Sequence, residues 1–186
     1  MPMIRIELLV LGLWAVFYTY WLISAAQAKR SVKKSRGCAT VRVLAIVIIV
    51  LLLRSSREFR QAVTRIPSSP LPVLGLVFCA LGLGLAVWAR RHIGRNWGMP
   101  MSLKEDPELV TSGPYRYIRH PIYSGILLGM LASSLAGGLI WLLLAVVFGT
   151  IFAIAARAEE RLMLQQFPEQ YAQYRARTKA MIPFIW

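Results

Sequence analysis

The sequence is poor in acidic residues, cysteine and histidine. Its 186 residues include 8 Asp and Glu against 22 Lys and Arg, which gives a formal net charge of +14. The two cysteines, Cys38 and Cys79, are far apart and form no C-x-x-C pair, so they indicate neither a disulfide framework nor a zinc site. The two histidines, His92 and His120, have no acidic or cysteine neighbours at ligand spacing. We therefore predict no metal site.

Charge is also scarce overall, which argues against an ordinary soluble domain. Only 16% of the residues are charged and 57% are hydrophobic, whereas a soluble domain is closer to half apolar and a quarter charged. We infer an integral membrane protein whose length suits one domain of four or five spans. The basic residues lie between apolar segments and not on one soluble face. They therefore indicate cytoplasmic loops and not a nucleic-acid partner.

The apolar segments predict an all-α fold of about five transmembrane helices, the last two forming a hairpin at Gly137-Gly138. Five positive charges in residues 29–36 place that loop in the cytoplasm. The second apolar segment is shorter than the roughly 20 residues of a typical span. The basic residues 54–65 that follow it would lie outside, against the positive-inside rule. The predicted spans are 6–28, 39–53, 72–89, 121–135 and 139–156.

The polar, aromatic and basic segment 111–125 runs directly into the fourth span and is the predicted functional centre. The hairpin brings residues 93–120 beside those after 156, so we expect Glu159 and Glu160 to lie near His120. Adjacent carboxylates at a membrane edge are costly unless satisfied, and ribose hydroxyls are natural donors to them. Arg119 and Arg157 can hold carboxylates by paired hydrogen bonds. Together these groups suit a ligand with an adenosine, a cationic centre and an amino-acid end.

Each of these features also has a structural interpretation. An Arg-His pair at the start of a span is often an interfacial anchor, and two glutamates can favour the start of a helix. Tyr171 and Tyr174 lie at helical spacing and are interpreted as packing residues. Arg116 and Tyr117 are interpreted as interfacial.

Two ordered motifs resemble the isoprenylcysteine carboxyl methyltransferase family. The first is G-x-Y-x-x-x-R-H-P-x-Y-x-G over residues 113–125, and the second is E-E-x-L-x-x-x-x-F-x-x-x-Y-x-x-Y over 159–174. Gly94-x-Asn96-Trp97 and Leu109-Val110 fit as well, and phospholipid N-methyltransferases look similar here. The resemblance covers about residues 72–183. It divides the chain into an N-terminal two-span region, 1–65, and a methyltransferase core, 66–186.

The resemblance implies S-adenosyl-L-methionine as the cofactor, in a cytoplasmic pocket formed by the 93–120 segment and the C-terminal helix. Two positions before the Leu-Val pair, where the family often has His, this chain has Pro107. Catalytic or acceptor-binding roles fall on Arg157, Arg119 and Glu160. The implied cofactor contacts are Glu108, Leu109, Val110, Tyr115, His120, Pro121, Ile122, Tyr123, Glu159 and Glu160.

The function that follows is methyl transfer to a lipophilic acceptor that enters from the bilayer. An ionised carboxylate or a thiolate needs no general base, whereas an amine would need Glu160 or His120 as one. The sequence offers no dedicated base, which favours a carboxylate or thiol-type acceptor. The predicted acceptor is the carboxylate of an isoprenylcysteine-like or other small lipid. The alternatives are a phospholipid N-methyltransferase and an NADPH-dependent sterol-reductase-like enzyme that would use Arg95 and Lys104 for the extra phosphate. A channel is disfavoured, because no ionisable residue lies in mid-span. The sequence predicts no oligomeric state.

Overall fold

The computed structural model describes residues 6–25, 31–34, 71–97, 102–104 and 108–181. Most of these residues are helical, as the hydrophobic patterning predicts. The five α-helices of these segments are α1 (Ile6–Ala25), α2 (Leu71–Ile93), α3 (Pro121–Gly137), α4 (Leu139–Gln166) and α5 (Pro168–Arg177).

Three of these helices, α1, α2 and α4, are long and apolar enough to cross a membrane. They coincide with the first, third and fifth predicted spans. The helix at the fourth predicted span, α3, is apolar but has 17 residues, which corresponds to about 26 Å at the usual rise per residue. The second predicted span and the basic residues 54–65 lie outside the described residues.

Helix α4 continues well beyond its predicted end at residue 156. Its 28 residues correspond to a length of about 42 Å, whereas the hydrocarbon core of a bilayer is about 30 Å thick. The helix therefore carries its polar last turns, with Glu159 and Glu160, past the apolar stretch. It ends at Gln166, and α5 begins at Pro168, because proline lacks the amide hydrogen that a continuous helix needs.

Helices α2 and α3 approach each other closely through glycine. A Cβ atom placed on Gly82 would lie 2.7 Å from the carbonyl oxygen of Gly125 and 2.7 Å from the amide nitrogen of Gly129. Small residues allow such backbone contact between apolar helices. This contact fixes the end of α2 beside the start of α3, where the polar segment lies.

Helix α1 packs against the other helices through Trp14. The indole Nε1 donates a 3.0 Å hydrogen bond to Ser133 Oγ of α3, and its ring stacks on Trp141 of α4 with centroids 5.3 Å apart. Trp14 and Ser133 are both buried, so the polar atoms satisfy each other inside an apolar core.

The chain passes from α3 to α4 through Gly138, whose φ of 82° is a conformation that glycine adopts without steric cost.

Two short strands, β1 (Ser31–Lys34) and β2 (Ser102–Lys104), pair antiparallel with Ser31 opposite Lys104 and Lys34 opposite Ser102. Nothing in the sequence pattern predicts this pairing, which joins the basic residues after α1 to the polar segment between α2 and α3.

Candidate active site

The start of α3 is held by the C-terminal residues that follow α5. Arg119 N donates a 2.8 Å hydrogen bond to Lys179 O, and His120 N donates one of 2.9 Å to Ala180 O. Ser124 Oγ donates a third, of 2.6 Å, to Met181 O. These bonds satisfy backbone groups at the end of the polar segment and fix where its side chains point.

Arg119 joins this C-terminal region to α4. Its Nε lies 2.7 Å from Glu160 Oε1, and its Nη1 donates to the carbonyl oxygen of Thr178. Arg175 of α5 approaches the other carboxylate oxygen of Glu160, with its Nε 3.6 Å away. Glu160 is buried, so the two guanidinium groups compensate a charge that is largely shielded from water.

The neighbouring carboxylate, Glu159, is held from the other side by Tyr123. The phenol donates a 2.7 Å hydrogen bond to Glu159 Oε1. The Tyr123 ring stacks on Phe152 of α4 with centroids 4.5 Å apart and planes 8° apart. Stacking on a second aromatic ring limits the rotation of Tyr123 and so fixes the position of its hydroxyl.

His120 lies between the two carboxylates. Its Nδ1 is 3.5 Å from Glu159 Oε2, and its Nε2 is 3.4 Å from Glu160 Oε1. The Nε2 contact is not aligned as a hydrogen bond, so this buried nitrogen has a nearby charge but no hydrogen-bond partner in the protein. Burial acts to lower the pKa of His120, but the two nearby carboxylates, Glu159 and Glu160, outweigh it and raise that pKa above its usual value.

A second polar group lies at the end of α2. Asn96 Nδ2 donates a 3.2 Å hydrogen bond to Glu108 Oε2, and the buried Asn96 Oδ1 has no hydrogen-bond partner. Val110 packs near Tyr115 and Ala89 in a small apolar cluster, and the Tyr115 hydroxyl donates a 3.4 Å hydrogen bond to Ala89 O.

Arg90 holds this region together. Its Nη2 donates a 2.6 Å hydrogen bond to Ser24 O at the end of α1, and its Nη1 one of 2.8 Å to Gly94 O. The guanidinium also lies 4.5 Å from the centre of the Trp97 ring, a favourable cation–π distance. Arg90 is buried, which the sequence did not indicate, because it stands in a basic run at the end of an apolar helix.

The structure brings five of the predicted site residues into one cluster, which we call the carboxylate cluster: Arg119, His120, Tyr123, Glu159 and Glu160. Pro121 and Ile122 are buried beside it and begin α3. Arg157 is exposed on α4, three positions before Glu160. Glu108, Leu109, Val110 and Tyr115 belong to the region at the end of α2, and Pro107 lies outside the described residues.

Three members of the site were not predicted: Phe152, Arg175 and Thr178. Phe152 stands in an unbroken apolar run, where nothing separates a lipid-facing phenylalanine from one that stacks on Tyr123. Arg175 is one of three basic residues after position 174. Arg175 is four residues after the buried Tyr171, and residues four apart share a helix face. This spacing could have indicated the side of α5 on which Arg175 lies.

A sequence model of the phospholipid methyltransferase family matches residues 71–170, more than half of the chain. The chain belongs to this family. The matched residues include α2, α3, α4 and every member of the carboxylate cluster.

Individual relatives are similar over parts of the chain. Protein-S-isoprenylcysteine O-methyltransferase B of Arabidopsis thaliana is 32% identical over 60% of this chain and 58% of its own length. Protein-S-isoprenylcysteine O-methyltransferase of Schizosaccharomyces pombe is 27% identical over 81% of this chain and 70% of its own. The cobalt-zinc-cadmium resistance protein CzcN of Cupriavidus metallidurans is 38% identical over 55% of this chain. The chain spans about half, 49%, of the length of CzcN.

Proposed function

We propose that this protein is an integral membrane methyltransferase that uses S-adenosyl-L-methionine, with its methyltransferase core in residues 66–186. The observation that carries the proposal is the carboxylate cluster. Glu159 and Glu160 of α4 meet His120 and Tyr123 of the 111–125 segment within hydrogen-bonding or ion-pairing distance. All of these residues lie inside the region that matches the family.

The residues present fit such a cofactor. His120 Nε2 and Asn96 Oδ1 are buried polar atoms without hydrogen-bond partners, one in each of the two polar regions, and a bound ligand can satisfy both. The stacked rings of Tyr123 and Phe152 provide aromatic surface, which attracts a cationic group. The carboxylate of Glu159 provides an acceptor for hydroxyl or ammonium donors.

S-adenosyl-L-methionine supplies a methyl group on a positively charged sulfur. On this protein, Glu159 and Tyr123 would hold its polar groups, and Leu109 and Val110 would offer apolar contact. The side chains of Tyr115, Pro121 and Ile122 are buried among protein atoms. We therefore propose that these residues position the cofactor-binding side chains or contact the cofactor through their backbone atoms. The full proposed set remains Glu108, Leu109, Val110, Tyr115, His120, Pro121, Ile122, Tyr123, Glu159 and Glu160.

The carboxylate cluster contains no group that is suited to removing a proton from an acceptor. Glu160 is paired with Arg119 and Arg175, and Glu159 already accepts the Tyr123 hydroxyl. His120 has a raised pKa, so its imidazole holds its own proton more tightly than usual. This supports an acceptor that reacts without losing a proton to the enzyme, such as a carboxylate.

We infer that the acceptor is the carboxylate of an isoprenylcysteine-like or other small lipid. The site lies where α3 begins and where the apolar part of α4 ends, so a lipophilic acceptor can reach it laterally from the bilayer on the cytoplasmic side. Arg157 is exposed three residues before Glu160, and a guanidinium is well shaped to hold a carboxylate. The alternative is a phospholipid amine, which the name of the matched family favours.

Calorimetric binding of S-adenosylhomocysteine to the purified chain in detergent tests the cofactor assignment. We expect Glu159→Gln to weaken binding about tenfold or more, because it removes a charged hydrogen-bond acceptor. The matched control is Glu169→Gln, an exposed carboxylate of α5. Binding of NADPH without binding of S-adenosylhomocysteine would instead support a reductase and overturn the proposal. Transfer of a radiolabelled methyl group into lipid and protein fractions then identifies the acceptor.

A further inference from the structure

A cleft separate from the carboxylate cluster lies between the turn at 113–116 and helix α5. It encloses about 500 Å³ and is lined by Thr111, Ser112, Gly113, Arg116, Tyr174 and Arg177. The lining contains two guanidinium groups and three hydroxyl groups, and none of the six residues is acidic. Arg116 and Arg177 are exposed, so both can reach a ligand that enters from solvent. The cleft is therefore suited to an anion.

The cleft and the carboxylate cluster lie on different faces of α5. Arg175 approaches Glu160 of the cluster, whereas Arg177 lines the cleft. Two residues along an α-helix correspond to a rotation of about 200°, so these side chains leave the helix in nearly opposite directions. A ligand in the cleft consequently does not occupy the position proposed for the methyl donor.

The cleft lies at the level where a membrane-spanning helix ends. Ser112 Oγ in its wall is 2.9 Å from His92 Nε2, and His92 belongs to the basic last turn of α2. Tyr117, directly after the turn, is 67% exposed, and tyrosine is favoured at membrane–water interfaces. Such neighbours are typical of a site at the depth of lipid headgroups.

We propose that this cleft binds the phosphate-bearing headgroup of an anionic membrane lipid. Arg116 and Arg177 can each donate paired hydrogen bonds to phosphate oxygens, and the hydroxyls of Thr111 and Ser112 can donate further ones. A lipid is the expected source of the phosphate because the cleft adjoins the end of the apolar helix α2, along which acyl chains can lie. The inference is independent of methyl transfer.

The test uses the full chain in detergent and measures its affinity for short-chain phosphatidylglycerol, phosphatidylcholine and inorganic phosphate. We expect phosphatidylglycerol to bind more tightly than the other two. The double variant Arg116→Gln/Arg177→Gln should bind phosphatidylglycerol at least tenfold more weakly. The matched control, Arg91→Gln/Arg161→Gln, removes the same charge from exposed positions outside the cleft and should change affinity less than twofold.

Two results would overturn the proposal. Equal weakening by both double variants would show that phosphatidylglycerol responds to the net positive charge and not to the cleft. Binding of inorganic phosphate as tight as that of phosphatidylglycerol would show a small-anion site and not a lipid site. Thermal unfolding of each variant checks that it is folded. The double variant Arg116→Lys/Arg177→Lys should retain part of the affinity for phosphatidylglycerol, since lysine binds phosphate as a point charge.

Discussion

Arg119 Nε lies 2.7 Å from Glu160 Oε1, and this ion pair connects the start of α3 to α4. The same guanidinium donates to Thr178 O after α5, so one side chain links three parts of the chain. Arg175 Nε lies 3.6 Å from the second carboxylate oxygen of Glu160. Without Arg119, Arg175 would therefore compensate the negative charge of Glu160 only in part.

Replacing Arg119 with alanine should destabilise the fold by about 3 kcal/mol, because it leaves a buried carboxylate without its main partner. Thermal unfolding of the purified protein in detergent measures the effect. Arg161→Ala, an exposed arginine of α4, is the control and should be close to neutral. If both variants unfold at the same temperature as the parent protein, the pair contributes nothing to stability.

Removing the Tyr123 hydroxyl should separate cofactor binding from folding. Tyr123→Phe keeps the ring that stacks on Phe152 at 4.5 Å but removes the 2.7 Å hydrogen bond to Glu159. We expect a three- to tenfold loss of affinity for S-adenosylhomocysteine, in line with about 1 kcal/mol for one hydrogen bond, and little change in unfolding temperature. Tyr117→Phe, at a position 67% exposed, serves as the control. Unchanged affinity in Tyr123→Phe would remove Tyr123 from the proposed cofactor site.

The sequence predicted the helices better than the contacts between them. Long apolar runs identify α1, α2 and α4, because a helix that crosses a bilayer needs about 20 predominantly apolar residues. The same uniformity hides which face of each helix packs on protein. Gly82 and Gly84 look equivalent in the sequence, yet a Cβ atom at Gly82 would meet α3 backbone, whereas one at Gly84 would meet nothing within 4 Å.

The members of the carboxylate cluster that belong to sequence motifs could be predicted. The site residues that only the fold brings beside them could not. His120, Tyr123, Glu159 and Glu160 follow from two ordered motifs, and the structure brings them together. The pairing of residues 118–120 with 179–180 was not predictable, since neither segment alternates polar and apolar residues as a strand would. The positions of Arg175 and Thr178 depend on that pairing and were missed with it.

The contact between α2 and α3 predicts opposite effects at two neighbouring glycines. Gly82→Ala should destabilise the protein by about 1–3 kcal/mol, because the new methyl group would lie 2.7 Å from backbone atoms of α3. Gly84→Ala should be neutral or stabilise by up to about 1 kcal/mol, since alanine favours the helix and meets no neighbour. Thermal unfolding of both variants in detergent distinguishes them. Equal effects would mean that the two helices do not cross at Gly82.

The ion contacts of His120 predict a pH-dependent stability. Its pKa is raised because the two carboxylates outweigh burial, so its contribution to stability is full below about pH 6.5, the usual value for histidine, and is lost as the pH rises through the raised pKa. The unfolding temperature of the parent protein should therefore exceed that of His120→Gln by an amount that shrinks as the pH rises through the raised pKa of His120. Glu159→Gln removes one of the two carboxylates and should flatten the same profile. Parallel curves for the parent protein and His120→Gln would contradict a raised pKa of His120 between Glu159 and Glu160.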